Sequence, residues 1–418
     1  MAVAAEDLSG AQQRTHGALL PWLLAGLATI GPFSIDTYLP SFPSMARDYA
    51  VTELLVQQTL SAYMGSFAIM TLFHGALSDS FGRRPVILVN LLVFVVASIG
   101  CALAPTIETL LACRALQGMS AGAGIVVGRA IIRDTYDGPM AQRLMSQVTM
   151  LFSLAPAVAP VIGGVLDIAF GWRSIFVFLT VFSLLLWAGC AWTLPETLPK
   201  HDRQPFRAAP LVARYVQVFG SARFAMLALA VAFNFAGFFV YVVSAPAVIY
   251  RHLGLSATDF AWLFVPGIGG VIIGAWLSGR LAGRATPERT VLLGFAVMAT
   301  AACLSIGYHL VYPPAIPWTV LPLMLYSLGM SLAMPSITLL ALDLFPRNRG
   351  MAASVQGFTQ SMFNALLAGL ISPMVAGTQL SLAVTAGVAM VLGAACWLNY
   401  LRLTRRRACP PANPTLES

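Results

Sequence analysis

Twelve apolar runs, each about 20 residues long, constrain this chain more than any other feature in it. They fall at 17–39, 54–77, 86–104, 108–132, 144–168, 174–194, 224–249, 258–281, 290–311, 318–342, 351–376 and 381–402. At a rise of ~1.5 Å per residue, a helix of that length crosses the roughly 30 Å hydrocarbon core of a bilayer. Lipid offers no partner for backbone N–H and C=O groups, so such runs are expected to be helices that satisfy those groups internally. The fold class expected is an all-α polytopic membrane protein. Composition agrees: 58% of the 418 residues are hydrophobic and 10% charged, with a mean hydropathy of +0.80. A soluble enzyme of two or three domains, which length alone would suggest, is excluded.

One long polar connection interrupts the series. It begins Pro195-Glu-Thr-Leu-Pro-Lys-His-Asp-Arg-Gln-Pro-Phe-Arg207 and continues as a basic amphipathic stretch to Arg223. It divides the runs six and six: a bundle over 1–194, a linker over 195–223, and a bundle over 224–418 with a short basic tail. Gly75-Ala-Leu77 and the arginines after it recur as Gly279-Arg-Leu281 with Arg284 and Arg289, without an acid at the place of Asp79. Duplicated six-helix halves leave this kind of echo, so the two bundles are expected to be pseudo-symmetric. The net charge of +8 is almost wholly arginine, Lys200 being the sole lysine. Alternate connections carry nearly all of it, Arg14, Arg207, Arg214, Arg347, Arg406 and Arg407 included, while the opposite connections hold Arg47, Arg173 and Arg251. Basic loops stay inside, which places both termini in the cytoplasm. No cleavable leader is evident before the first run.

Enzyme signals are missing. Five histidines are scattered without metal-ligand spacing, and no phosphate-cradling glycine loop is present, so no metal and no ATP are expected. Five of the six cysteines, Cys101, Cys113, Cys190, Cys303 and Cys396, fall inside apolar runs, and none, Cys409 included, forms a CxxC. They read as small buried hydrophobes.

Between the second and third runs lies Gly75-Ala-Leu-Ser-Asp79-Ser-Phe-Gly82-Arg83-Arg84-Pro85. Two adjacent arginines are costly in hydrocarbon and put this turn at a membrane surface. Asp79 and Arg83 are spaced to pair along a helix, and Pro85 suits a first helical turn. Charge alone would make it a topology-setting loop.

Asp36, in Gly31-Pro-Phe-Ser-Ile-Asp36-Thr-Tyr38-Leu-Pro40, is the one acid that reads as embedded. An ionised Asp at mid-membrane costs about 3 kcal/mol on insertion scales, so function is the default reading. The other reading is a first span that ends near Ile35 and leaves Asp36 at the interface. Arg114, in Leu110-Leu-Ala-Cys-Arg114-Ala-Leu-Gln117-Gly118, needs a partner if it is internal, and Asp36 is the expected one. It could instead snorkel to the surface. The fifth run holds Ala155-Pro-Ala-Val-Ala159-Pro160-Val-Ile-Gly163-Gly164, a density of prolines and small residues that bends a helix and admits a close neighbour. In the second half, Asn234, Phe235, Tyr241, Tyr326, Gln356, Gln360 and Asn364 punctuate the apolar runs, the last three on one helical face. Such groups either glue helices or line a cavity; all of them but Asn364, with Tyr38, Tyr63 and Gln117, are the candidate substrate-facing residues.

These motifs resemble the major facilitator superfamily of transporters along essentially the whole chain. The 75–85 loop is similar to its signature between the second and third spans, Arg114-x-x-Gln117-Gly118 to its fourth-span signature, and the fifth run to its antiporter motif with Ala155 and Ala159 in place of glycines. Gly171-Trp-Arg173 and Pro195-Glu-Thr197 fit the same pattern. Asp36-x-Tyr38-Leu-Pro40, with Arg129-Ala-Ile-Ile-Arg133-Asp134, resembles the Bcr/CflA branch of bacterial drug:proton antiporters. The resemblance implies an inner-membrane exporter of small organic molecules, driven by proton entry and working by alternating access. It implies a proton-coupling role for Asp36 with Arg114. It also implies a conformational latch of Gly75, Asp79, Gly82, Arg83, Arg84 and Asp134 that holds the inward-closed state, in which the start of the eleventh helix faces it. A monomer with no cofactor is expected, its partners being lipid, protons and a small-molecule substrate rather than nucleic acid. A narrow-specificity metabolite exporter, a proton symporter and a non-transporting sensor stand as alternatives.

Overall fold

The computed structural model describes residues 2–408 apart from 137, 205, 207, 347 and 348. Its described side chains exclude those of 2–18, 138–139, 141–142, 146, 149, 153, 208–211, 214 and 406–408. Arg207, Arg347 and Cys409, named above, therefore lie outside the described residues, and the side chains of Arg14, Arg214, Arg406 and Arg407 outside the described side chains.

Among the described residues there are twelve helical spans long and apolar enough to cross a membrane. They are Leu19–Asp48, Glu53–Phe81, Arg83–Leu103, Ile107–Thr135, Arg143–Phe170, Arg173–Thr193, Ala222–Val243, Ala257–Leu281, Pro287–Val311, Leu321–Asp343, Arg349–Val375 and Gln379–Arg405. The expected runs all recur, several extended by polar first or last turns. Thr52, Thr106 and Ser221 cap the second, fourth and seventh helices by accepting a backbone N–H, which lets each start at a polar residue. The first span departs most from expectation. Its long helix stops at Asp36, a short 3-10 turn follows over Leu39–Ser41, and a last helix, Phe42–Asp48, completes the crossing. Pro40 accounts for the break, since it has no N–H to continue the helix ladder, while Pro43 sits in the first turn of the last helix, where none is needed.

Small residues set how closely the helices approach. A methyl at Gly118 on the fourth span would overlap the Tyr63 carbonyl of the second. Gly294 and Gly329 do the same for the ninth and tenth spans, each facing the other's backbone. In hydrocarbon this close van der Waals packing replaces the hydrophobic drive that holds soluble bundles. The first six spans pack largely among themselves, as do the last six, and the seventh is the most enclosed of the twelve.

The polar contacts between the two sets gather at one end, the end poor in arginine. Four hydrogen bonds join residues 19–194 to residues 222–405 among the described residues. Tyr250 Oη donates to the Pro40 carbonyl at 2.6 Å, and Arg251 pairs with Glu53 at 2.7 Å. Gln57 donates to Ser372 Oγ and Gln58 to the Gly369 carbonyl, both at 2.8 Å. Gly369 lies in a π-helical turn, Leu367–Ile371, whose wider winding changes which carbonyls bond within the helix. Gly164 closes the same seam, its Cα set directly against the Ala257 carbonyl. Of the linker, the helix Ala208–Phe219 is anchored at both sides: Tyr215 Oη donates to the Leu72 carbonyl, and the Phe219 ring meets Phe358 edge-on at 5.9 Å.

A methyl group added at Gly164 has nowhere to go but into the Ala257 carbonyl, an overpacking cost on the order of 1–3 kcal/mol. Gly164→Ala is expected to shift the protein out of this closed arrangement while leaving insertion intact. A reporter cysteine at Leu253 should then react several times faster with a membrane-impermeant maleimide, and an unchanged rate would show that the seam does not depend on this approach.

Candidate functional site

The most enclosed polar cluster forms around Arg114, whose side chain is 0% exposed. Its Nη1 donates to Gln117 Oε1 at 2.7 Å, one helical turn on, and its Nη2 donates to the Ser34 carbonyl of the first span at 3.0 Å. Tyr38 and Tyr63 sandwich the guanidinium, each ring centre 4.4 Å from the central carbon. Gln117 in turn donates to Ser98 Oγ at 2.7 Å, and Tyr38 Oη shares a 2.9 Å hydrogen bond with Thr59. Cation–π contacts with desolvated rings are worth up to about 2 kcal/mol each, so aromatic faces and carbonyl oxygens offset part of the charge's burial. Arg114 is therefore internal and does not snorkel.

The expected Arg114–Asp36 ion pair is not formed. Arg114 instead donates to the Ser34 backbone carbonyl and Gln117, between the Tyr38 and Tyr63 rings. Asp36 is itself buried at 3% exposure, although its helix ends there. Thr37 to Ser41 are buried as well, so the chain turns inside the protein rather than at its surface. Asp36 Oδ1 has no hydrogen-bond partner among the described residues. The fifth span lies directly against this break: a methyl at Gly163 would overlap the Thr37 carbonyl. Gly163 and Gly164 are thus neighbours with two separate duties, one beside Asp36 and one on the seam. Ala155, Ala159 and Pro160 on the same helix are buried.

The 75–85 loop gathers the charges expected of it. Arg83 pairs with Asp79 and, through Nε at 2.9 Å, with Asp134 at the end of the fourth span. Its other partners were not foreseen. The Glu196 carboxylate accepts the Arg83 backbone N–H at 2.9 Å and pairs with Arg203 at 3.3 Å, while the Gln204 N–H bonds the Asp79 carbonyl at 3.1 Å. Thr197 donates to Asp134 at 3.2 Å, and Arg84 to the Ala191 carbonyl at 2.7 Å. Gly82 makes room for this: at φ 102° it tolerates a backbone that side chains avoid, and a Cβ would collide with Glu196. With no side chain at Gly82 to cap the third helix, Glu196 caps it from across the bundle. The eleventh helix, expected to face this loop, begins at Arg349, which pairs with Asp343 at 2.7 Å. Among the described residues it makes no hydrogen bond or ion pair to Asp79, Arg83 or Asp134. The polar contacts between the two sets lie at the opposite end, which is the physical reason. Gly75 packs loosely against Val126.

In the second half, Asn234 donates to the Met330 carbonyl at 3.0 Å, Gln356 to Thr338 at 2.9 Å, and Tyr326 to the Ala386 carbonyl at 3.2 Å. These three bind helix to helix. Phe235 stacks on Phe239 with ring centres 5.6 Å apart, and Tyr241 is buried. Gln360 is half-buried, and Asn364 is buried with its Oδ1 unpartnered. The structure thus brings Tyr38, Tyr63 and Gln117 together with Arg114 and keeps Asn234, Tyr326 and Gln356 as separate joints. Glu196, Arg203 and Gln204 are the site residues that sequence reasoning missed; the Pro195-Glu-Thr197 run was the available signal.

A family model described as Major Facilitator Superfamily matches residues 24–373. The chain is 34% identical over 393 residues to an uncharacterised MFS-type transporter of Bacillus subtilis (strain 168), covering 93% of this chain and 96% of that one. It is 30% identical to Multidrug resistance protein D of Escherichia coli (strain K12), over 93% and 96% of the two chains. A Bicyclomycin resistance protein homolog of Haemophilus influenzae is 29% identical, over 91% and 94%. Among solved structures, a bacterial homologue of the human lysosomal transporter Spinster, crystallised inward-facing and unoccupied, superposes with a TM-score of 0.67 at 16% identity. That superposition covers 95% of this chain and 99% of the other, and bears on the fold alone.

The Arg114 cluster predicts a stability split. Gln117→Leu removes an acceptor from a fully buried cation and should lower the unfolding free energy in detergent by about 2 kcal/mol. Gln117→Glu keeps an acceptor in place and should melt close to the parent. Equal melting of the Leu variant and the parent would mean that the cluster contributes no stability.

Proposed function

Because this chain belongs to the major facilitator superfamily, we propose that it is a proton-coupled antiporter exporting small organic molecules, drugs among them, across the bacterial inner membrane. The observation that carries this reading is Asp36, a carboxyl enclosed at a helix break beside the fifth-span glycines. Deep ionisable groups in membrane spans mark ion and proton pathways. The names of the relatives from E. coli and H. influenzae support drug-like substrates. Neither an enzyme activity nor a cofactor enters this reading; the proton gradient supplies the energy, and a single copy of the chain acts in lipid.

The halves move as two bodies, 1–194 and 224–418, around the linker 195–223, with the passage open to one side at a time. Arginine asymmetry puts both termini and the 75–85 loop in the cytoplasm. The state described above is closed toward the outside by the Tyr250–Pro40, Arg251–Glu53 and Gly164–Ala257 contacts. Reopening that seam exposes Asp36 to outside water, which changes the cost of carrying charge on its carboxyl. Coupling follows if proton and substrate occupy the protein alternately. Arg83, held between Asp79 and Asp134, stabilises the cytoplasmic end of the first bundle, and Arg114 fixes the turn next to Asp36 through Ser34 and Tyr38.

Two substitutions test the reading. Asp36→Asn should abolish substrate accumulation driven by an imposed pH gradient in inverted vesicles, at undiminished expression; uphill transport at the parental rate would remove Asp36 from the proton path. Arg83→Ala should slow turnover severalfold with insertion preserved, since a charge network near a helix terminus is worth about 1–3 kcal/mol. Parental turnover and parental labelling at both ends would reduce that arginine to a topology signal.

A further inference from the structure

Charged side chains in the twelve spans crowd the helix ends. More than one turn from an end, the described residues hold three: Asp36, Arg114 and Arg129. The last six spans hold none there. Asp36 and Arg114 are enclosed, as shown above. Arg129 is different. It is exposed, and among the described residues it makes neither an ion pair nor a hydrogen bond.

Its position decides what it is exposed to. Arg129 lies six residues before the end of the fourth span, about 9 Å along the axis. Gly118 and Gly122, eleven and seven residues earlier, share its helical face. Both touch the second span: Gly118 sits against the Tyr63 carbonyl, and a Cβ on Gly122 would lie 3.2 Å from His74 and 3.4 Å from Phe67. The Arg129 face is therefore turned toward the second span. That span in turn packs on the eleventh, with Thr71 in contact with Gly357, so it borders the seam between the halves. An unpaired guanidinium turned to lipid costs up to about 3 kcal/mol at mid-membrane and less at this depth, and intramembrane arginines accordingly face a bundle interior or a water-filled space.

We infer that Arg129 presents its guanidinium to the passage between the halves, and that the passage favours substrates with an anionic or strongly accepting group over cations. This rests on the export reading for the direction of movement but not for binding. In the state closed toward the outside, the unneutralised charge that a substrate meets along the spans is positive, because the acid that could attract a cation, Asp36, is sealed there. A guanidinium offers a planar fork of donors suited to carboxylates and similar oxyanions.

Two xanthene dyes of similar shape and opposite charge make the test: fluorescein, an anion at neutral pH, and rhodamine 123, a cation. Binding to the protein in nanodiscs of zwitterionic lipid is read by fluorescence anisotropy. The parent should bind fluorescein about tenfold more tightly than rhodamine 123, the scale of one charge contact at reduced dielectric. Arg129→Gln should lose most of that preference by weakening fluorescein alone, and Arg129→Lys should keep most of it. Equal or tighter binding of rhodamine 123 by the parent overturns the inference. So does a matching loss of both dyes in Arg129→Gln, or binding of neither. Uptake under a pH gradient is measured separately: fluorescein bound with this Arg129 dependence yet never moved would defeat the export reading and leave the anion site standing.

Discussion

Two adjacent glycines on the fifth span hold the arginine-poor end of this protein together. Gly163 lets that helix lie on the Thr37 carbonyl, where the first span breaks beside Asp36. Gly164 lets the same helix lie on the Ala257 carbonyl of the other half. A side chain at either position would force the backbones apart. Because adjacent residues of one helix make both contacts, the environment of the buried acid and the closure of the seam are expected to change together. Packed helices behave as bistable elements rather than springs, so a change at one contact reaches the other.

A second joint works at the opposite end. The start of the linker is fastened to the first half by Glu196, Thr197 and Gln204, so the connection does not swing freely from the end of the sixth span. The helix Ala208–Phe219 then touches both halves through Tyr215 and Phe219. The linker is thus a strap with contacts on each body.

Much of this was legible in the sequence. Span number and approximate position followed from the lengths of apolar runs, because lipid leaves a buried backbone no alternative to the helix. The embedding of Asp36 was legible because Tyr38-Leu-Pro-Ser-Phe stays apolar past it, and the Asp79–Arg83 pair because its spacing is local; Asp134, 51 residues from Arg83, entered only through the family resemblance. What was not legible depends on how helices rotate against one another. The one embedded acid, Asp36, is the partner the sequence suggests for Arg114, whereas two tyrosine rings, Gln117 and a backbone carbonyl hold it. Ring faces and carbonyl oxygens leave no charge signature in a sequence. Glu196 was invisible as a helix cap because it lies more than a hundred residues from the helix it caps. Asn234, Tyr326 and Gln356 were read as groups that could line a cavity or glue helices; their bonds to neighbouring helices fit the second role.

The central claim is that protonation near Asp36 and closure of the arginine-poor seam are coupled. The most direct measurement is the distance distribution between spin labels at Leu54 and Leu253, across that seam, by double electron–electron resonance at acidic and alkaline pH. The account predicts two populations whose ratio changes with pH in the parent and is fixed in Asp36→Asn. A parental distribution that ignores pH, or an Asp36→Asn distribution that follows it equally, would contradict the account.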